Sequence, residues 1–172
     1  MQESERDRTF RDWLHGHKGI LLKVVQAYAF TPADREDLFQ EIALQAWRSV
    51  DAFRGESAVT TWLYRVALNT AIAWHRKEKR HKHGKEPLEA AHALLEPALP
   101  RRDPRLDWLY AQIAQLDEVD RSLALLMLDG FSYREMASIL GITESYVGVK
   151  ISRIKMALAA KLATEALHHE SR

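Results

Sequence analysis

The chain has 172 residues, 47% hydrophobic, and a formal net charge of +1 at pH 7. That apolar content can fill one core of moderate size or two small ones, while the near-neutral charge means that any nucleic-acid contact must rest on local clustering. With no cysteine, disulfides, thiolate nucleophiles and zinc knuckles are excluded. No apolar run approaches the roughly 18 residues of a membrane span, and the N-terminal MQESERDRTF is charged rather than signal-like. The expectation is a soluble, cytoplasmic protein without membrane insertion. Glycine and proline are sparse and no alternating strand pattern occurs, so the fold class is all-α.

A first helix is expected from about Arg6 to Ala29, with Phe10, Trp13, Leu14, Ile20, Leu21, Val24, Val25 and Tyr28 available for burial. Gly16 and Gly19 permit a kink. Thr31-Pro32 restarts the helical pattern with a capping hydroxyl and a proline where no amide hydrogen is needed. The second helix runs to about Val50, with Leu38, Phe39, Ile42, Ala46 and Trp47 on its apolar side. Asp34, Asp37 and Glu41, spaced by three and four, form an acidic stripe on another face. Asp34 suits the helix dipole; Asp37, Gln40 and Glu41 lie deeper and read as either a solvated face or a docking face.

Arg54-Gly55-Glu56-Ser57 breaks the pattern as an exposed loop. A third helix follows from Ala58 to about Arg80, with Trp62, Leu63, Val66, Ala67, Ile72 and Trp74 as apolar positions. It ends in RKEKRHKHGK, where Lys and Arg face a single Glu. Cations at a helix C-terminus offset its dipole, but a run this long favours contact with a nucleic-acid backbone. Glu86 to Arg105 is proline-bearing and weakly periodic apart from a short turn at Leu88 to Leu95, and reads as a linker between two helical domains. The domains are assigned as 1–83 and 105–172, with the linker at 84–104. Beyond it, Leu106, Leu109, Tyr110, Ile113 and Leu116 mark one helix, and Leu123, Leu125, Leu126 and Leu128 the next.

Phe131 to Leu158 reads as two helices joined by a tight turn. Ser132 and Glu135 have capping-box spacing, Gly141 stops the first helix, and Thr143 caps the second. Val147, Ile151, Ile154 and Leu158 form one buried stripe on that second helix. At 100° per residue, Ser145, Val149 and Ser152 point away from the stripe. Tyr146, Lys150 and Arg153 flank them on one side and Lys155 on the other. Small side chains between flanking cations suit a helix in a DNA major groove, with the turn, caps and stripe of a helix-turn-helix. A helical hairpin with a solvated basic face is the plainer alternative. The tail from Glu165 to Arg172 is expected to fray.

Nothing supports catalysis, a cofactor or a metal site. His15 and His17, like His81 and His83, are two apart, which puts neither pair on one helix face. GxSxG, GxxxxGK[ST], GxGxxG and HExxH are absent. The nearby carboxylates Asp34, Glu36, Asp37 and Glu41 lack a second set or a partner histidine.

Both halves together resemble bacterial sigma factors of the extracytoplasmic-function group. DREDLFQEIALQAW and FRGESAVTTWLYRVALNTAIAWHRKEKR resemble the family's region 2, and LDEVDRSLALLMLDGFSYREMASILGITESYVGVKISRIKMAL resembles region 4. The resemblance implies a non-enzymatic subunit that binds core RNA polymerase through the largest-subunit clamp and the flap, and directs it to promoter DNA. It implies clamp docking by Asp37, Gln40 and Glu41. It implies −10 element contacts by the Arg54 to Thr61 segment, including Ser57, Thr60 and Thr61, and by Arg65, Asn69, Arg76, Lys77 and Arg80. The −35 element would then meet Ser145, Tyr146, Val149, Lys150, Ser152, Arg153 and Lys155, and an anti-sigma factor is an implied partner. Where family members often carry Lys-Ser-Arg, this chain has Gly148, Val149 and Lys150, so partial readout through groove shape is expected. The competing class is a stand-alone helix-turn-helix regulator of the response-regulator output type, which leaves the first half unexplained.

Overall fold

The computed structural model describes residues 3–81 and 103–170. The expected turn at Leu88 to Leu95 and the basic residues after His81 lie outside them. The described residues form seven α-helices and one 3-10 turn and contain no strand, which agrees with an all-α fold. The chain divides into two compact units, Met1–Tyr110 and Ala111–Arg172.

The first unit is built from α1 (Glu3–Tyr28), α2 (Pro32–Ser49), a 3-10 turn (Val50–Ala52) and α3 (Val59–His81). Each helix packs on the other two. α1 bends at His17, whose backbone leaves the helical region (φ −134°, ψ 16°) between the two glycines that permit it. Thr31 caps α2, its hydroxyl accepting from the Asp34 N–H at 3.1 Å, with Pro32 in the first turn. Leu21, Val24, Leu38, Ile42, Leu63, Ala67 and Leu68 are buried where the 3.6-residue period places them.

Aromatic side chains close one end of this core. The Trp13 and Phe53 rings meet edge-on with centroids 5.2 Å apart, and Phe53 lies 5.6 Å from Trp62. The Trp62 indole N–H donates to Ser49 Oγ at 3.0 Å, and that hydroxyl donates to the Ala46 carbonyl at 2.8 Å. Each aromatic pair adds about 1 kcal/mol beyond its buried area. Trp47 is also tied down: its N–H donates to Asp7 Oδ1 at 2.8 Å and the Arg6 guanidinium lies 4.6 Å from the ring centroid. Arg6 pairs with Asp51 as well.

The helices of the second part are α4 (Pro104–Ala114), within which the unit boundary falls, α5 (Glu118–Leu128), α6 (Tyr133–Leu140) and α7 (Glu144–Glu170). Asp117 caps α5 by accepting from the Asp120 N–H at 2.9 Å. Arg121 is buried, and one guanidinium nitrogen donates to the carbonyls of Ala114 and Leu116 at 2.8 and 3.0 Å. It thereby satisfies acceptors that the end of α4 leaves unpaired.

The capping box is complete: Ser132 Oγ accepts from the Glu135 N–H at 3.2 Å, and Glu135 accepts from the Ser132 N–H at 2.7 Å. Gly141 ends α6 with φ of 67°, a left-handed conformation that costs glycine little. Thr143 then accepts from the Tyr146 N–H at 3.1 Å to start α7. Val147, Ile151 and Ile154 are buried, and Leu158 is half-buried. The tail expected to fray from Glu165 is helical as far as Glu170, and Ser171 and Arg172 lie outside the described residues. The KMALAAKLATEAL stretch of α7 holds mostly strong helix formers and no glycine or proline.

Candidate nucleic-acid interface

The outward face of α2 carries the acidic stripe. Asp37 and Gln40 are exposed, and Glu41 is half-buried and accepts from Gln45 Nε2 at 2.9 Å. Leu44 shares this face at 40% exposure. The charge pattern of α2 does not single it out, although an apolar residue between polar wheel positions is a visible signal.

Gly55, with φ of 72°, turns the loop that carries Arg54 and Ser57 into α3. Arg54 is exposed and Ser57 half-buried. Along α3, Arg65, Asn69, Arg76 and Arg80, spaced by four, seven and four residues, share one face, and Lys77 lies at its edge. Asn69, Arg76, Lys77 and Arg80 are exposed, and Arg65 is half-buried. Thr61 borders that face. Thr60, nine residues before Asn69, lies on the opposite side of the helix, so the structure does not gather it with the others.

The two tryptophans of α3 separate. Both are half-buried, but Trp62 is hydrogen-bonded and ring-packed at the end of the core, whereas Trp74 lines an open groove of about 470 Å³ between α2 and α3. Glu41 and Gln45 form one wall of it, and Asn69, Thr70 and Lys77 the other. The sequence pattern puts Trp74 on the apolar side of the helix with Trp62. Periodicity does not tell a position held by cross-helix partners from one at the groove edge.

On α7, Ser145, Tyr146, Val149, Ser152, Arg153 and Lys155 are exposed, with Tyr146 at 44% and Val149 at 49%. Lys150 differs. Its side chain is 17% exposed, and its ammonium lies 3.0 Å from Asp120 Oδ1 and 3.8 Å from Asp117 Oδ2. The bond to Asp120 holds its pKa above the ordinary lysine value. Gly148 is covered by the Tyr133 ring of α6, 3.7 Å from where a Cβ would stand.

No group of three or more His, Asp or Glu among the described residues could hold a metal ion, and no described helix is long and apolar enough to cross a membrane.

Residues 13–81 match the family model for sigma-70 region 2, and residues 106–158 match that for sigma-70 region 4. The ECF RNA polymerase sigma-E factor of Escherichia coli K12 is 33% identical over 141 residues, covering 75% of this chain and 74% of that protein. The RNA polymerase sigma-H factor of Pseudomonas aeruginosa is 27% identical over 155 residues, 80% of this chain and 78% of its own. Among solved structures, the sigma factor RpoE from Bartonella quintana, in complex with the anti-sigma factor NepR, aligns with a TM-score of 0.69 and 21% identity over 91% of this chain and 98% of its own. CnrH in complex with the cytosolic domain of CnrY aligns with a TM-score of 0.65 and 23% identity over 92% and 90%. These two likenesses concern the fold. On its paired region matches and its identity to sigma-E factors, the chain belongs to the sigma-70 family of RNA polymerase sigma factors, in the extracytoplasmic-function group.

Proposed function

We propose that this chain docks on core RNA polymerase in the cytoplasm, carries no catalysis of its own, and opens and selects promoters by dividing recognition between residues 1–83 and 105–172, joined by the linker 84–104. The observation that carries the reading is that region 2 and region 4 occur in order in one chain. A stand-alone duplex-binding regulator accounts for the second match only.

Asp37, Gln40 and Glu41 dock on the polymerase clamp, with exposed Leu44 adding apolar contact among them. Charge in such a patch speeds encounter and sets orientation, while the apolar centre supplies area removed from water. The −10 element is taken as an unpaired strand by Arg54, Ser57 and Thr61 at the head of α3. Arg65, Asn69, Arg76, Lys77 and Arg80 run beside its backbone, since an extended cationic face tracks a single strand. Thr60, on the opposite side of α3 from Asn69, is left out of this face. The −35 element is read as duplex by Ser145, Tyr146, Val149 and Ser152, with phosphates held by Arg153 and Lys155. An anti-sigma factor is a further proposed partner, by analogy with the Bartonella RpoE, which is held by the anti-sigma factor NepR in its solved complex.

The test mixes the purified chain with core polymerase and a random promoter library and sequences the transcripts. Transcription from a defined set of promoters is the expected result. Tight shifting of duplex by the chain alone, without polymerase-dependent initiation, would replace this reading with the regulator.

A further inference from the structure

Of the cations on the outward half of α7, Arg153 and Lys155 are exposed while Lys150 is turned inward onto α5. Asp117 has two tasks at that contact. Its Oδ1 accepts from the Asp120 N–H as the cap of α5, and its Oδ2 faces the Lys150 ammonium at 3.8 Å. The Asp120 carboxylate closes the cluster at 3.0 Å, and the Tyr146 ring covers it with its centroid 5.6 Å from Nζ. A helix N-terminus disfavours a cation, so Lys150 stays at this one because two carboxylates face it.

We infer that Lys150 is a positioning residue for upstream-element recognition: it clasps α7 to the first turn of α5 and does not contact phosphate. The inference rests on the reading of α7 as the helix that meets the −35 duplex. Reaching a phosphate would exchange two carboxylate partners for one anion and leave Asp117 and Asp120 uncompensated beside a polyanion. The apolar stripe of Val147, Ile151 and Ile154 sets how closely α7 packs, but such contacts are non-directional and resist rolling about the helix axis poorly. A half-buried ion pair supplies the missing direction. It holds Val149, at 49% exposure, and Ser152 at one angle towards the groove.

The test uses the full chain in holoenzyme, on a promoter duplex that the wild-type holoenzyme selects from a random library, with affinity measured against salt concentration. K150M is expected to weaken binding several-fold at every salt concentration while leaving the salt slope unchanged. R153A is expected to lower the slope by about one, as loss of a phosphate contact does. K150R is expected to bind like wild type. The decisive variant is the charge swap K150D/D120K, which re-forms the pair and is expected to recover most of the affinity lost in K150D. A slope that falls by about one in K150M, or a swap no better than K150D alone, overturns the inference.

Thermal unfolding of the full chain supplies a second arm that needs no promoter. The double variant K150M/D120N is expected to lose no more Tm than the worse single variant, and additive losses overturn the clasp. A chain that selects no promoter defeats the proposed function, and the unfolding cycle still decides the clasp.

Discussion

The two helices assigned to DNA, α3 and α7, are held in different ways. α3 is packed by α1 and by α2, and the Trp62 indole anchors its first turns to Ser49. α7 is packed by α5 and α6 through Val147, Ile151 and Ile154, and every residue from Ala159 to His168 is exposed. The difference suits the two proposed targets. An unpaired strand has no shape of its own, so the protein must supply a rigid surface to order it. A duplex is already stiff, so a helix aimed by a few contacts suffices, provided that its rotation is fixed.

The largest expected effect breaks or supports that contrast within α3 itself. Trp62→Ala is expected to cost about 3 kcal/mol of stability, because it opens the aromatic cluster and leaves Ser49 without its donor. Trp74→Ala, at the groove edge, is expected to cost under about 1 kcal/mol. Urea unfolding of both variants measures this, and equal losses would mean that the two tryptophans share one environment.

Next in size, Asp37→Lys with Glu41→Lys is expected to weaken capture of core polymerase at least tenfold, about 1.4 kcal/mol. Unfolding should shift by no more than about 0.5 kcal/mol, since both residues lie on the outward face. Unchanged capture in a titration against labelled core enzyme removes α2 from the docking surface.

Ser132→Ala sharpens the account of α7 from its other side, because α6 is one of the helices that hold it. Loss of the cap is expected to cost about 1 kcal/mol. Glu135 brings a pH dependence to the same box. The Ser132 backbone N–H, and after it the Ser132 hydroxyl, bonds the ionised carboxylate and holds its pKa below the ordinary 4.5. A folded pKa below the unfolded one contributes stability that is complete above about pH 4.5 and lost as pH falls through the folded value. Glu135→Gln is expected to remove that acid-side dependence, as read by unfolding midpoints across pH 3 to 6. A dependence that persists in the variant assigns it to other carboxylates.

The smallest expected effect is a gain. Gly148→Ala should stabilise α7 by up to about 1 kcal/mol, since the new methyl would meet the Tyr133 ring at an ordinary 3.7 Å. A loss on calorimetry would show that Tyr133 cannot give way.

Sequence alone determined the helices of each half, the capping box at Ser132 and Glu135, the turn at Gly141 and the buried stripe of α7. These depend on neighbours within a turn or two, where spacing and residue type settle the interaction. The family motifs were legible for the same reason. Tertiary structure alone decided which polar and aromatic groups meet across elements. Trp47 finds Asp7 forty residues away, Trp62 finds Ser49, and Arg121 reaches back to the end of α4. It also turned Lys150 towards Asp120, set Trp74 at a groove edge and left Leu44 exposed. A helical wheel gives each of these residues an angle, but what stands at that angle is set by how neighbouring helices pack, which no local period encodes.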